Sequence, residues 1–99
     1  MNVLEDEKMR ELGFTDRREG TWSLCKRVAY MTTLNICIEK DGSDWSEYVL
    51  DEFFLQPCFY MDAKEEFKNE VISNINEIIS TLRRAGLDVS VDHESYTMG

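Results

Sequence analysis

Hydrophobic positions change rhythm twice along this chain. Over about residues 2–12, Val3, Leu4, Met9 and Leu12 share one helical stripe, and Gly13 is a natural stop, so the spacing predicts a short N-terminal helix. Residues 15–20 read as a polar turn. From there the period falls to two: Trp22, Leu24, Val28 and Tyr30 occupy even positions, with Lys26 the exception. In Thr33–Glu39 the alternation sends Leu34, Ile36 and Ile38 inward, and Thr33, Asn35 and Glu39 toward water. A reversal near Ala29–Thr32 makes these two stretches a hairpin. Asp41-Gly42-Ser43-Asp44 has the chemistry of a second tight turn, and a third strand follows over Trp45–Leu50.

The helical period returns at about Ala63–Ala85. Phe67, Val71, Ile75, Ile78, Ile79 and Leu82 form one apolar stripe. Asp62 is the expected N-cap with Glu65 three residues on, and Arg83 and Arg84 suit the negative end of the helix dipole. Gly86 is placed for a left-handed cap, with Leu87 folding back on Leu82. Val89 and Val91 suggest a short final strand, and residues 92–99 are expected to fray. The predicted fold is α+β, in the order α-β-β-β-α. A three-stranded antiparallel meander sheet packs on one long amphipathic C-terminal helix, with a short N-terminal helix, as a single domain over residues 1–99.

Composition narrows the function. Twenty acids against 11 bases give a net charge of −9, which disfavours phosphate and anionic membranes and favours a basic partner. The charge is uneven. Residues 38–60 hold six acids (Glu39, Asp41, Asp44, Glu47, Asp51, Glu52) and one base, Lys40, whereas residues 20–37 hold two bases and no acid. The acidic start lacks the apolar core of a secretory signal, and no apolar run approaches the roughly 20 residues of a membrane helix. Three widely spaced cysteines (Cys25, Cys37, Cys58) fit a reducing cytoplasm, and are read here as small buried hydrophobes.

Catalytic chemistry finds no foothold in the pattern. His93 has no local cysteine partner, and the cysteine intervals lack the short knuckles of structural zinc sites. The adjacent carboxylates Asp51-Glu52 and Glu65-Glu66 are sequence neighbours that point apart, and the glycines form no phosphate loop. No enzyme activity, cofactor or metal is expected. Two stretches remain as candidate partner-binding residues. One is the acidic set Glu39, Asp41, Asp44, Glu47, Asp51 and Glu52, either a solvated sheet edge or an imitation of duplex phosphates. The other is the aromatic run, Phe53, Phe54, Phe59 and Tyr60, either a plug for the core or an anchor at an interface.

The element order resembles the double-stranded RNA-binding domain, but Asp62-Ala63-Lys64-Glu65-Glu66 stands where that family has its basic run. The stretch Leu34–Gly42 running into Glu47–Glu52 resembles the acidic hairpin of small phage-encoded anti-CRISPR proteins that inhibit a Cas nuclease by mimicking DNA. That resemblance implies a non-catalytic inhibitor in the cytoplasm of a bacterial host. Its partner would be a basic protein or ribonucleoprotein such as a Cas effector, with no direct nucleic-acid or membrane contact. Asp41, Asp44, Glu47, Asp51 and Glu52 would be the mimicking carboxylates. The aromatic run and the single long helix depart from the pattern. An immunity or antitoxin protein against a basic toxin fits the charge equally, and a homo-oligomeric phage accessory protein would use the aromatic run. The sequence leaves monomer and homodimer open.

Overall fold

Cross-strand pairing sorts the side chains into two faces, and only one of them is covered. A computed structural model describes residues 1–99. It holds a short helix α1 (Asp6–Glu11) and strands β1 (Thr21–Ala29), β2 (Thr32–Glu39), β3 (Trp45–Asp51) and β4 (Gln56–Pro57). A 3-10 turn (Tyr60–Asp62), the long helix α2 (Glu65–Arg84) and a second 3-10 turn (His93–Tyr96) complete it. The strands form one antiparallel sheet in the order β1-β2-β3-β4. This is the α+β meander expected, with one additional strand. β4 is only two residues long and lies at the edge, where Pro57 removes no interior ladder bond.

Partners in register share a face. Trp22↔Ile38, Leu24↔Ile36 and Leu34↔Val49 therefore build one apolar layer. Helix α2 closes it with Val71, Ile75, Ile79 and Leu82, and these side chains join a single core of 18 buried residues. The other face of the sheet stays open, as an antiparallel sheet allows. Cys25 and Cys37 point there and are exposed, while Cys58 is half-buried. The burial expected for all three thus fails. Alternation against Leu24 and Ile36 outweighs the general tendency of cysteine to be buried.

A shift of register between Arg27 and Ala29 breaks the even-number rhythm of β1. Both Val28 and Ala29 are buried, and Tyr30 falls in the two-residue turn, exposed instead of inward. Helix α2 begins two residues later than the pattern indicates, with Lys64 at its N-cap and no side-chain cap. Asp62 is engaged elsewhere, accepting the Met98 N–H at 2.5 Å. The far end follows expectation. Gly86 takes φ +111°, Leu87 N–H donates to Leu82 O at 3.0 Å and Gly86 N–H to Arg83 O at 3.0 Å, the paired bonds of a Schellman cap.

The C-terminal segment, expected to fray, packs on the core through Val89 and Tyr96, although residues 88–92 form no strand. Tyr96 donates its hydroxyl proton to Glu47 Oε2 at 2.5 Å and accepts the buried Val49 N–H at 3.1 Å. His93 bridges Tyr60 Oη (2.6 Å, at Nδ1) and Asn76 Oδ1 (2.9 Å, at Nε2). These bonds fasten the last turn across β3, the first 3-10 turn and α2. No helix is long and apolar enough to cross a membrane.

Candidate functional site

The six clustered acids of the sequence do not share a surface. Asp41 and Asp44 lie in the β2–β3 turn, and Asp51 and Glu52 at the far end of β3, about 20 Å away for a seven-residue strand. Glu39 pairs with Thr21 on the open face and accepts from its hydroxyl at 3.4 Å. Glu47 lies on the covered face with Ile36 and is held by Tyr96. The carboxylates of the turns also hold backbone. Asp41 Oδ1 accepts the Ser43 N–H at 2.9 Å, and bonds from Ser43 pull the Asp41 carboxyl below its usual range. Asp44 Oδ1 accepts the Trp45 N–H, and Asp51 Oδ1 those of Phe53 (2.9 Å) and Phe54 (3.3 Å). Such Asx-type bonds are what these residues supply in tight turns.

The opposite end of the sheet has a different character. The β1–β2 turn (Tyr30, Met31) and the β3–β4 turn (Glu52–Leu55) stand side by side there, joined by Glu52 N–H donating to Met31 O at 2.9 Å. Tyr30, Phe53, Phe54 and Leu55 are 80%, 68%, 67% and 77% exposed, so the two tips present large apolar side chains to solvent. Phe53 and Phe54 meet edge to face, with centroids 4.8 Å apart. Met31 and Leu55 both adopt left-handed backbone, with φ of +50° and +54°. That conformation is costly for a bulky residue and is found where surroundings enforce it. Here Asp51 caps the second turn, Cys58 N–H donates to Val49 O at 2.9 Å, and β4 pins the returning chain.

Between these tips and the start of α2 lies an open groove of about 520 Å³. Tyr30, Met31, Phe53, Phe54, Phe59 and Phe67 provide most of its apolar lining, and Thr32, Asp51, Gln56 and Cys58 its polar members. Burial first, then the charge of Asp51, pushes the Cys58 thiol pKa up, which keeps it a protonated, weakly nucleophilic group. Among the aromatic candidates, Phe53 and Phe54 are displayed, Phe59 is half-buried in the groove, and Tyr60 is fully buried. Tyr60 thus acts as core, stacked on Tyr96 at 5.2 Å, and burial drives both tyrosine pKa values upward. Sequence reasoning missed Tyr30, Met31, Leu55 and Phe67 as members of this surface. The adjacency of two hairpin tips was implicit in the meander order and could have revealed the first three.

Other clusters are internally satisfied. Asp16 accepts from Arg10 at 3.1 Å and Lys40 at 3.0 Å, and both cations lie over the Trp22 ring. Hydrogen bonds from Arg10, then Lys40, hold the Asp16 carboxyl well below the usual range. His93 has both ring nitrogens partnered. No three metal-ligating side chains stand together.

No protein-family model and no curated protein sequence matches this chain. Among solved structures, the crystal structure of a DUF1831 family protein from Lactobacillus plantarum aligns with a TM-score of 0.69 at 16% identity. The alignment covers 86% of this chain and 78% of that one. At that identity the likeness speaks for the fold alone.

Proposed function

We propose that this chain works by binding another protein through the aromatic end of its sheet, without bond-making chemistry of its own. One observation carries the reading. Four large apolar side chains project from two hairpin tips tied together by a backbone hydrogen bond, two of whose residues hold left-handed backbone. Together they expose on the order of 500 Å² of side chain, the size of patch that on a monomer is often functional. The tips are braced by Asp51 and β4, so little ordering entropy is lost when a partner docks. Aromatic side chains in such a setting are the usual anchors of an interface.

The acidic-hairpin version of a binding function is a phage-type inhibitor occupying a basic nucleic-acid groove, or an antitoxin on a basic toxin. It draws support from Asp41 and Asp44, which share a turn and form no ion pair. The two versions separate by mutation. Partner capture from bacterial lysate is compared for the wild type, a Phe53→Ser/Phe54→Ser variant and an Asp41→Lys/Asp44→Lys variant at low and high salt. The aromatic reading expects a partner retained by the charge-reversed variant and at high salt, and lost with the serines. Capture lost on charge reversal and kept by the serine variant would replace it with mimicry.

A further inference from the structure

We infer that the groove at the aromatic end accepts a segment of a different protein in which apolar anchors are closely followed by Lys or Arg. This rests on the binding function just proposed and adds the partner's chemistry. The groove's lining contains no Lys, Arg or His, and its one charged member is Asp51. Beside it, Glu52 donates its backbone N–H to Met31 O, and its Oε1 is shielded from water with no hydrogen-bond partner. Neither carboxylate belongs to an ion pair; Lys68, on the first turns of α2, is committed to Glu65 at 3.4 Å. Neither Lys64, at the start of α2, nor Lys26 and Arg27, on β1, line the groove.

Asp51 is the charge that an occupant of the groove meets, and an ammonium or guanidinium brought by the occupant complements it, with Glu52 adjacent in the turn adding to the attraction. The same two charges argue against a second copy of this chain as occupant. A symmetric contact would press Asp51 and Glu52 toward their counterparts, between two bodies of net charge −9. An uncharged apolar occupant would fill the groove and cover the Asp51 carboxylate with no cation to meet it. An apolar segment with a flanking cation meets both features at once.

The test is calorimetric titration of the full chain with three amphipathic peptides of identical Leu and Trp pattern, carrying Lys, Gln or Glu at the polar positions. The Lys peptide should bind tightest and the Glu peptide at least about tenfold more weakly. Phe53→Ser/Phe54→Ser should abolish binding of the Lys peptide at both 50 mM and 300 mM salt (both roughly chosen to bracket screening). Glu52→Gln removes no side-chain hydrogen bond, and should weaken the Lys peptide about threefold to fivefold and flatten its salt dependence. Equal binding of all three peptides, still lost in the serine variant, would overturn the basic partner and leave aromatic docking standing. Lys-peptide binding indifferent to the serines would overturn both, since it would report only attraction to an acidic surface. Failure of all three peptides to bind would likewise overturn the inference. So would a concentration-dependent dimer in sedimentation that the serine variant loses, because the occupant would then be a second copy. Amide chemical-shift maps of the free variants confirm that the fold is intact in each.

Discussion

Leu55 offers a direct test of whether backbone energy is held at the aromatic end. It sits at φ +54° while 77% of its surface is exposed, so its side chain contributes little burial in return. A Cβ in the left-handed region crowds the neighbouring carbonyl oxygen and costs about 1–2 kcal/mol. Leu55→Ala keeps that Cβ, and should change stability by no more than about 0.5 kcal/mol, as for an exposed site. Leu55→Gly removes it, recovering about 1–2 kcal/mol, and gives back about 0.5–1 kcal/mol through the freer unfolded chain. Glycine should therefore be more stable than alanine by roughly 0.5–1 kcal/mol. This inverts the order at an ordinary strand or helix position, where glycine is worse by about the same amount. For a domain of this size the Gly variant should melt about 2–8 °C above the Ala variant. Urea unfolding followed by circular dichroism, with equal m-values, supplies the free energies. Glycine at or below alanine would refute the strain, and with it the claim that the tips are held by their surroundings. Both substitutions remove the exposed isobutyl group from the tip, so binding of the proposed partner should fall alike in the two while stability diverges.

Three further outcomes follow from the core side of the sheet. Tyr96→Phe strands the buried Val49 N–H and leaves Glu47 without its donor, and should cost about 2–3 kcal/mol. Denaturant midpoints and exchange of the Val49 amide measure this, and a loss below about 1 kcal/mol would mean the tail is not fastened there. Tyr60 and Tyr96 have pKa values raised by burial, so the folded state holds both protons after the unfolded chain releases them. Their contribution is whole below pH about 10 and declines above it by about 1.4 kcal/mol per tyrosine per pH unit. The stability gap between wild type and Tyr96→Phe should thus narrow above pH about 10, and a gap constant to pH about 11.5 would contradict the assignment. Gly86→Ala places a Cβ at φ +111° and 3.2 Å from Leu4 Cδ2, and should lower stability by about 1–2 kcal/mol in thermal melts. An unchanged melting temperature would show that the helix end relaxes into another cap.

Where residues answer to local physics, the sequence is a good guide. Val71, Ile75, Ile79 and Leu82 repeat at helical spacing, and Gly86 and Leu87 close the helix by a bond pattern that only the backbone needs. Leu34, Ile36 and Ile38 define the inner face by alternation alone, and the same alternation, followed strictly, turns Cys37 outward. The failures are tertiary. The extra residue at Val28 changes the parity of β1 and throws Tyr30 into the turn, and nothing near Arg27 marks the shift. Asp62 has the chemistry of a cap but is taken by Met98, 36 positions away. Tyr96 lies in a polar tail yet is buried, because its partners Glu47 and Val49 come from a strand formed half a chain earlier. The acidic set looked like one surface because its members are close in sequence. A strand separates sequence neighbours by its length, as β3 does to Asp44 and Asp51, and a sheet separates them by its two faces, as with Glu39 on the open side and Glu47 on the covered one.

Local rules are broken mostly in one place, and that distribution is itself an argument about function. Natural sequences are for the most part locally consistent, and the conflicts they keep are expected at functional or strained sites. At the acidic turn each carboxylate satisfies a nearby N–H, and at Trp22 two cations share Asp16 and the ring face. His93 is partnered on both sides and fixes the tail. At the aromatic end the balance reverses. Two bulky residues hold left-handed backbone, three aromatic rings face water, and a carboxylate oxygen is shielded with no partner. Each of these can be relieved by replacement with Gly, Ser or Gln at no cost to the core, since none belongs to the buried cluster. What such replacements would remove is the apolar tip, the groove beneath it and the charge at its rim. The bound segment we propose would use those same three features, so the surface that serves the isolated chain worst is the one best suited to that complex.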